Sequence, residues 1–159
     1  MSSKNINMTK GLTLIEVLIV IAVALILLAF IVVPFKRMND TQALSKETQN
    51  VISIINQARS QTLSSKGGIV HGVHLESSQV VLFGGPTYVP SDPNNASIPL
   101  HALVSISNIN LSGGAIDIVF NRLTGTTAVS GTITLSLIAS STQSKLITVT
   151  STGIVNGSP

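Results

Sequence analysis

The chain has 159 residues, of which 9% are charged and 3% aromatic, with no tryptophan and no cysteine. That length accommodates one membrane segment and one modest domain, since single domains commonly take about 100 to 150 residues, and it excludes a second independent fold. The lack of cysteine excludes a disulfide framework and a thiolate metal site. The net charge of +3 gives no ground for nucleic-acid binding, because without Lys4 and Lys10 seven basic side chains face six acidic ones.

A short polar stretch carrying Lys4 and Lys10 leads to Gly11, and from Leu12 to Val33 the chain is apolar with one ionisable side chain, Glu16. An acid at the centre of a membrane helix costs roughly 2.5 to 3.5 kcal/mol, against about 0.3 to 0.6 gained from each Leu, Ile, Val or Phe. The segment therefore still enters lipid, helped by the position of Glu16 near its end. A carboxylate kept in such a place asks for a positive partner, and the nearest candidate is an amine created by cutting the chain just ahead of it. The run approaches the roughly 20 residues that cross a bilayer, exceeds the core of a secretory signal peptide, and has no Ala-x-Ala site behind it. It is expected to stay with the mature protein as a single membrane pass.

Pro34 closes the apolar run and predicts a kink. Phe35-Lys36-Arg37-Met38-Asn39-Asp40 follows as an interface-like mixture. Leu44, Val51, Ile55 and Ala58 then recur at helical spacing among Lys46, Glu47, Asn50 and Arg59, which predicts an amphipathic helix to about Leu63. Joined to the apolar run, this makes one helix of about fifty residues, roughly 75 to 80 Å long.

Gly67-Gly68 stop the helix, and the period drops to two. Ile69 to Leu75 and Gln79 to Phe83 predict a hairpin about Ser77-Ser78. Gly84 to Pro99, with Pro86, Pro90, Pro93 and Pro99, predicts a long surface loop free of regular sheet. Strands are expected again over Leu103 to Leu111, Ala115 to Phe120, Thr132 to Ala139 and Leu146 to Thr150. Alternation such as Ile133, Leu135 and Leu137 among Thr132, Thr134 and Ser136 means one packed face and one wet face. The expected fold is α+β, a long N-terminal helix packed on a C-terminal antiparallel β-sheet.

The polar leader, Gly11, and Leu12-Thr13-Leu14-Ile15-Glu16 opening an apolar helix closely resemble the type IV pilin-like signal. The resemblance implies cleavage by prepilin peptidase between Gly11 and Leu12, N-methylation of the new Leu12 amine, and use of Glu16 to pair with a neighbouring subunit's N-terminus during filament assembly. It implies an inner-membrane precursor with its N-terminus inside, which later becomes part of a periplasmic pseudopilus or an extracellular pilus. Asn56-Gln57-Ala58-Arg59-Ser60-Gln61-Thr62-Leu63 is similar to the helix end of the GspH/FimT group of minor pseudopilins and minor pilins. Val119-Phe120-Asn121-Arg122-Leu123-Thr124-Gly125, Gly131-Thr132-Ile133-Thr134-Leu135, and Ile147-Thr148-Val149 with Gly153-Ile154-Val155 are similar to that group's glycine turn, the strand after it, and its closing strand and turn. Departures are Leu12 for the commoner Phe after the cut, Leu25 for a helix-loosening Gly, Pro34 one residue late, and Gly153-Ile154 for a closing Gly-Arg. The last removes the main support for binding DNA.

The expected organisation is a leader over 1–11, a membrane and filament-core helix over 12–33, an amphipathic helix over 34–66, and a β-rich domain over 67–159 with its long loop at 84–99. The implied function is that of a structural minor pseudopilin or minor pilin of a type II secretion pseudopilus or type IV pilus. Its implied partners are prepilin peptidase, other pilins, the inner-membrane assembly platform and lipid, and nucleic acid is not expected. The alternatives are a major pilin, or a surface-displayed adhesin or DNA-uptake module that binds through the 84–99 loop.

No enzyme is expected, and neither cofactor nor metal. His71 and His74 lie three apart on a predicted strand and so face opposite sides; His101 stands alone. There is no His-Glu-x-x-His, no phosphate-binding glycine loop and no supported Ser-His-Asp set. Asp92, Asn94 and Asn95 offer oxygens to Ca²⁺ at a spacing unlike an EF-hand, and a solvated turn is the better reading. Arg59 is expected to cap or pair near the helix end, and Arg122 to lie in a turn.

Overall fold

The computed structural model describes residues 11–158, and for residues 30–37 the backbone alone. The expected leader, apart from Gly11, lies outside the described residues, as do the side chains of Pro34, Lys36 and Arg37. The chain forms two units, Met1–Met38 and Asn39–Pro159.

Helix α1 runs over Leu14–Leu63. In the first unit its described side chains up to residue 29 are all exposed, a sleeve of Leu, Ile, Val and Ala interrupted by Glu16 alone. Among the described residues no helix is long and apolar enough to cross a membrane. The apolar run of the sequence, Leu12 to Val33, ends among side chains that are not described.

In the second unit the same helix is one-sided. Leu44, Val51, Ile54, Ile55 and Ala58 are buried while Asn50, Asn56 and Gln57 stay in water, the period that an amphipathic helix requires. Thr48 and Thr62 sit on the buried side and return their hydroxyls to the carbonyls of Leu44 and Ala58, at 2.8 and 3.0 Å. Behind Leu63 the chain turns through Ser65, at φ 51, and a 3-10 turn over Lys66–Gly68 with left-handed glycines.

Among the described residues, eight strands form two antiparallel sheets. Strands β1 (His71–Leu75), β2 (Gln79–Gly84), β3 (Ala96–Pro99) and β5 (Asp117–Val119) pair in the order β3-β2-β1-β5. Strands β4 (Val104–Leu111), β6 (Gly131–Leu137), β7 (Ser140–Val149) and β8 (Val155–Gly157) pair in the order β4-β6-β7-β8. The α+β expectation of a long helix on antiparallel sheet holds, with the sheet divided in two. Val73, Leu75, Val80, Leu82 and Ile118 of one sheet and Ile106, Ile133, Leu135, Ile147 and Val149 of the other share one core with the helical stripe.

The expected hairpin about Ser77-Ser78 is present, with Leu75 opposite Val80 and Val73 opposite Leu82. The loop expectation needs a correction, because its last four residues form β3. Ile98 pairs with Val80 and Pro99 with Gln79. A proline is accommodated at a sheet edge, where a missing N–H breaks no ladder. The rest of that loop folds over the outer face of β1 and β2. The ring of Tyr88 stacks on His74 with centroids 3.9 Å apart and tilts against Phe83 at 5.5 Å. This cover explains why Val81 and Phe83 are buried although they point away from the common core.

Candidate functional site

The first candidate residues stand together at the start of the described chain. Gly11, Leu12 and Thr13 precede the helix, and Leu12 is 75% exposed. Among the described residues a Cβ built on Gly11 meets nothing within 4 Å, so their packing does not require glycine there. Thr13 is the N-cap. Its hydroxyl accepts the Glu16 N–H at 3.3 Å, and a Glu16 carboxylate oxygen lies 3.5 Å from the Thr13 N–H. Thr13-x-x-Glu16 is thus a capping box, in which threonine and glutamate exchange bonds across the first turn and satisfy amides that a helix start leaves unpaired.

Glu16 therefore has a local role that insertion energetics alone does not reveal. Its carboxylate also meets the positive end of the helix dipole, a further reason for an acid in the first turn. The Thr-x-x-Glu spacing before an apolar run is visible in the sequence and was the signal available for it. Glu16 stays exposed, and among the described residues no cation lies within ion-pair distance of it.

The stretches that resemble the GspH/FimT group meet at the far end of the helix. Arg59 donates its Nε–H to the carbonyl of Gly125 at 2.9 Å. Gly125 and Gly153 hold left-handed φ values of 63° and 79°. A Cβ on Gly153 would lie 1.9 Å from the Gly125 oxygen and 3.0 Å from Arg59 Nε, and one on Gly125 would lie 3.0 Å from that same Nε. The helix end, the glycine turn and the closing turn thus pack as one joint, with the Arg59 side chain against both glycines. Arg122 secures it from the other side, donating to the Gly68 carbonyl at 3.0 Å and to the Ser65 hydroxyl at 3.4 Å. Both arginines thus hold backbone, Arg59 near the helix end and Arg122 in a turn.

The histidines separate as strand alternation requires. His71 lies by the helix end, where its N–H donates to the Thr62 hydroxyl at 2.8 Å. Burial, and then the charge of Lys66, lower its pKa below the ordinary 6.5. His74 lies under Tyr88, with Nδ1 bonded to an Asp117 carboxylate oxygen and Nε2 3.5 Å from Glu76. His101 lies in the turn before β4, where its Nδ1 accepts the Leu103 N–H at 3.3 Å. The His74, Asp117 and Tyr88 group carries no motif in the sequence, because it joins two strands and a loop 43 residues apart at their extremes. Asp92 spends a carboxylate oxygen on the backbone and side chain of Asn94, at 2.8 and 3.0 Å, as a turn residue does. Among the described residues no group of three or more His, Cys, Asp or Glu side chains is placed to hold a metal ion.

Two family models match the chain: the prokaryotic N-terminal methylation motif over residues 6–32 and the type II transport protein GspH over residues 47–153. No curated protein matches it by sequence. Among solved structures it is similar to the type IV minor pilin FimU of Pseudomonas aeruginosa in two crystal forms. The first match has 11% identity and a TM-score of 0.57 and covers 79% of this chain and 93% of that one. The second has 9% identity and a TM-score of 0.54, covering 73% and 93%. At such identity the likeness is one of fold, and it is the fold of a structural pilin. The Arg59 joint draws on three stretches inside the GspH match, and the Thr13–Glu16 cap lies inside the methylation motif. The chain belongs to the type II transport GspH family of pilin-like proteins.

Proposed function

We propose that the protein is a minor pseudopilin or minor pilin precursor, cut between Gly11 and Leu12 by prepilin peptidase, methylated on the Leu12 amine, and assembled into a type II secretion pseudopilus or a type IV pilus. The observation that carries this reading is the helix start. An exposed apolar sleeve begins directly behind an accessible Gly11-Leu12 bond, and its one acid is the fifth residue past that bond. Such a sleeve has no stable place in water and asks for lipid or other helices. Lipid of the inner membrane serves the precursor, and the helices of other pilins serve the filament.

Glu16 then takes part in assembly by pairing with the N-terminal amine of a neighbouring subunit. An ATPase elsewhere in the complex drives filament growth at the inner-membrane assembly platform, and the subunit contributes its hydrophobic helix, the charge of Glu16 and an exposed β domain. The reading is tested by intact mass and N-terminal sequencing of the membrane form, expressed with and without prepilin peptidase. A peptidase-dependent start at Leu12 bearing one methyl group supports it. An uncut chain in both strains sinks it and leaves a signal-anchored β domain.

A further inference from the structure

Leu123 breaks two rules at once. It is 89% exposed, the most exposed large apolar side chain among the described residues, and it holds a left-handed φ of 70°. Glycine, asparagine and aspartate visit that region readily, whereas a bulky side chain there is an outlier. An exposed leucine alone needs no explanation. A strained one whose side chain is left almost wholly in water does, because no packing offsets the strain.

The turn that carries it is rigid. The Asn121 N–H donates to the Thr126 carbonyl at 2.8 Å and the Gly125 N–H to the Asn121 carbonyl at 2.9 Å, while the Asn121 side-chain amide donates to the Thr126 hydroxyl at 3.0 Å. Phe120 at its base is fully buried, and Arg122 ties the turn to the Gly68 carbonyl and the Ser65 hydroxyl behind the helix. Leu123 is therefore held out on a fixed frame, and a backbone ordered beforehand loses little freedom on binding.

The surroundings narrow the partner. Leu63, whose Cδ1 lies 3.0 Å from a Cβ built on Gly125, is 40% exposed, and Ile154, next to Gly153 in the closing turn, is 50% exposed. Beside them stand Arg122, Lys66 within the turn that Arg122 grips, and Arg59 half-buried at the joint. Both arginines bond neutral oxygens, and among the described residues none of the three cations pairs with a carboxylate. The stretches 59–69, 121–127 and 150–156 contain neither an acid nor an aromatic residue. The patch is thus an apolar knob in a field of one sign. A nucleic acid matches the charge but finds no ring on which to stack its bases, and one leucine on a turn gives a membrane little apolar area to hold. A protein surface offers an apolar socket and carboxylates together.

We propose that Leu123 anchors a contact between subunits, inserting into an apolar socket edged with carboxylates on a neighbouring subunit of the filament. Arg122 and Lys66 face those carboxylates and set the orientation, while Leu63 and Ile154 border the anchor. The contact rests on the pilin reading and gives it a recognition residue in the second unit.

The test uses the full chain in cells that assemble filaments. Leu123→Asn and Leu123→Gly both suit a left-handed backbone, so the urea midpoint of the second unit should hold or rise while the anchor is lost. Recovery of each variant in sheared filaments, relative to its membrane pool, should fall about tenfold or more, with the start at Leu12 unchanged. Leu123→Met, apolar and of similar volume, should assemble as the wild type does. A benzophenone side chain placed at position 123 should cross-link, within filaments, to a peptide of a neighbouring subunit that carries Asp or Glu. Normal recovery of the Asn and Gly variants overturns the proposal, and a lower urea midpoint in both assigns Leu123 to the fold instead. A cross-link to lipid, to nucleic acid, to a peptide without an acid or to no subunit at all also overturns it. A wild-type chain missing from filaments defeats the pilin reading and this contact together, whereas wild type and variants equally present defeat the contact alone.

Discussion

Glu16 makes a capping bond to Thr13 and, among the described residues, pairs with no cation, and a conservative pair of substitutions separates the bond from the charge. Glutamine at the third helical position closes a capping box as glutamate does. Glu16→Gln therefore keeps the helix start and removes only the charge, whereas Glu16→Ala removes both. If charge pairing drives incorporation, both variants insert in the membrane and both are missing from sheared filaments. Recovery of Glu16→Gln in filaments at the normal level would instead assign the residue to capping alone. At the opposite end of the helix, Gly153→Ala forces a Cβ onto the Gly125 carbonyl and a left-handed φ onto alanine. Strain of that kind costs about 1 to 3 kcal/mol before the clash is counted. The expected readout is a lower urea midpoint for the second unit, with peptidase cleavage unaffected.

His71 gives stability a pH dependence of known sign. Its folded pKa lies below the ordinary 6.5, so the unfolded chain binds its proton first. The contribution is fully present above about 6.5 and is lost as pH falls below it. Melting temperature should thus drop between about pH 7.5 and about pH 5.5. His71→Gln should flatten that part of the profile; an equal slope in the variant would assign the effect to another group. His71 could be found in the sequence as a strand histidine, but its burial could not, since that depends on the Thr62 clasp across the helix end.

At the scale of elements, the loop ahead of β3 is held to the sheet by one aromatic ring. Tyr88 packs between His74 and Phe83, and aromatic pairs of this kind contribute about 0.5 to 1.5 kcal/mol beyond their buried area. Tyr88→Ala should release the loop, seen as faster amide exchange at Val81 and Phe83 with slower exchange retained at Ile133 and Leu135. Uniformly faster exchange would mean that the loop is part of the global fold. The clasp also makes deletion of residues 84–99 a poor test of display, because removal uncovers Val81 and Phe83 and takes away β3.

Local pattern and tertiary pairing differ in how far the sequence discloses them. The amphipathic half of α1, the β1–β2 hairpin and the alternation of β6 are written in residue spacing and sit where that spacing predicts. The division into two sheets is not, because it depends on β1 pairing with β5 and β4 with β6, contacts between distant segments that alternation leaves undetermined. Strand β3 was hidden by its proline, which reads as loop unless the strand is known to lie at an edge. Arg59 was visible as part of a familiar helix end, while its acceptor, 66 residues away, was not.

For the whole molecule, Gly11 lies in the first unit ahead of its helix, whereas the hydrophobic core lies in the second. Among the described residues nothing beyond its chain neighbours lies within 4 Å of a Cβ at that position, and the helix starts three residues later. If the residue serves the peptidase alone, Gly11→Val should leave the urea midpoint of the second unit unchanged while the mass of the membrane form stays that of the uncut chain. The uncut chain keeps Lys4 and Lys10 and presents no free amine at Leu12, so a neighbour's Glu16 has no partner from it. It should therefore accumulate in the inner membrane and be missing from filaments. Cleavage of Gly11→Val at the wild-type rate would place recognition elsewhere in the leader or in the Thr13–Glu16 cap, and Thr13→Val, which breaks the box without touching the charge, would then be the variant that separates those two.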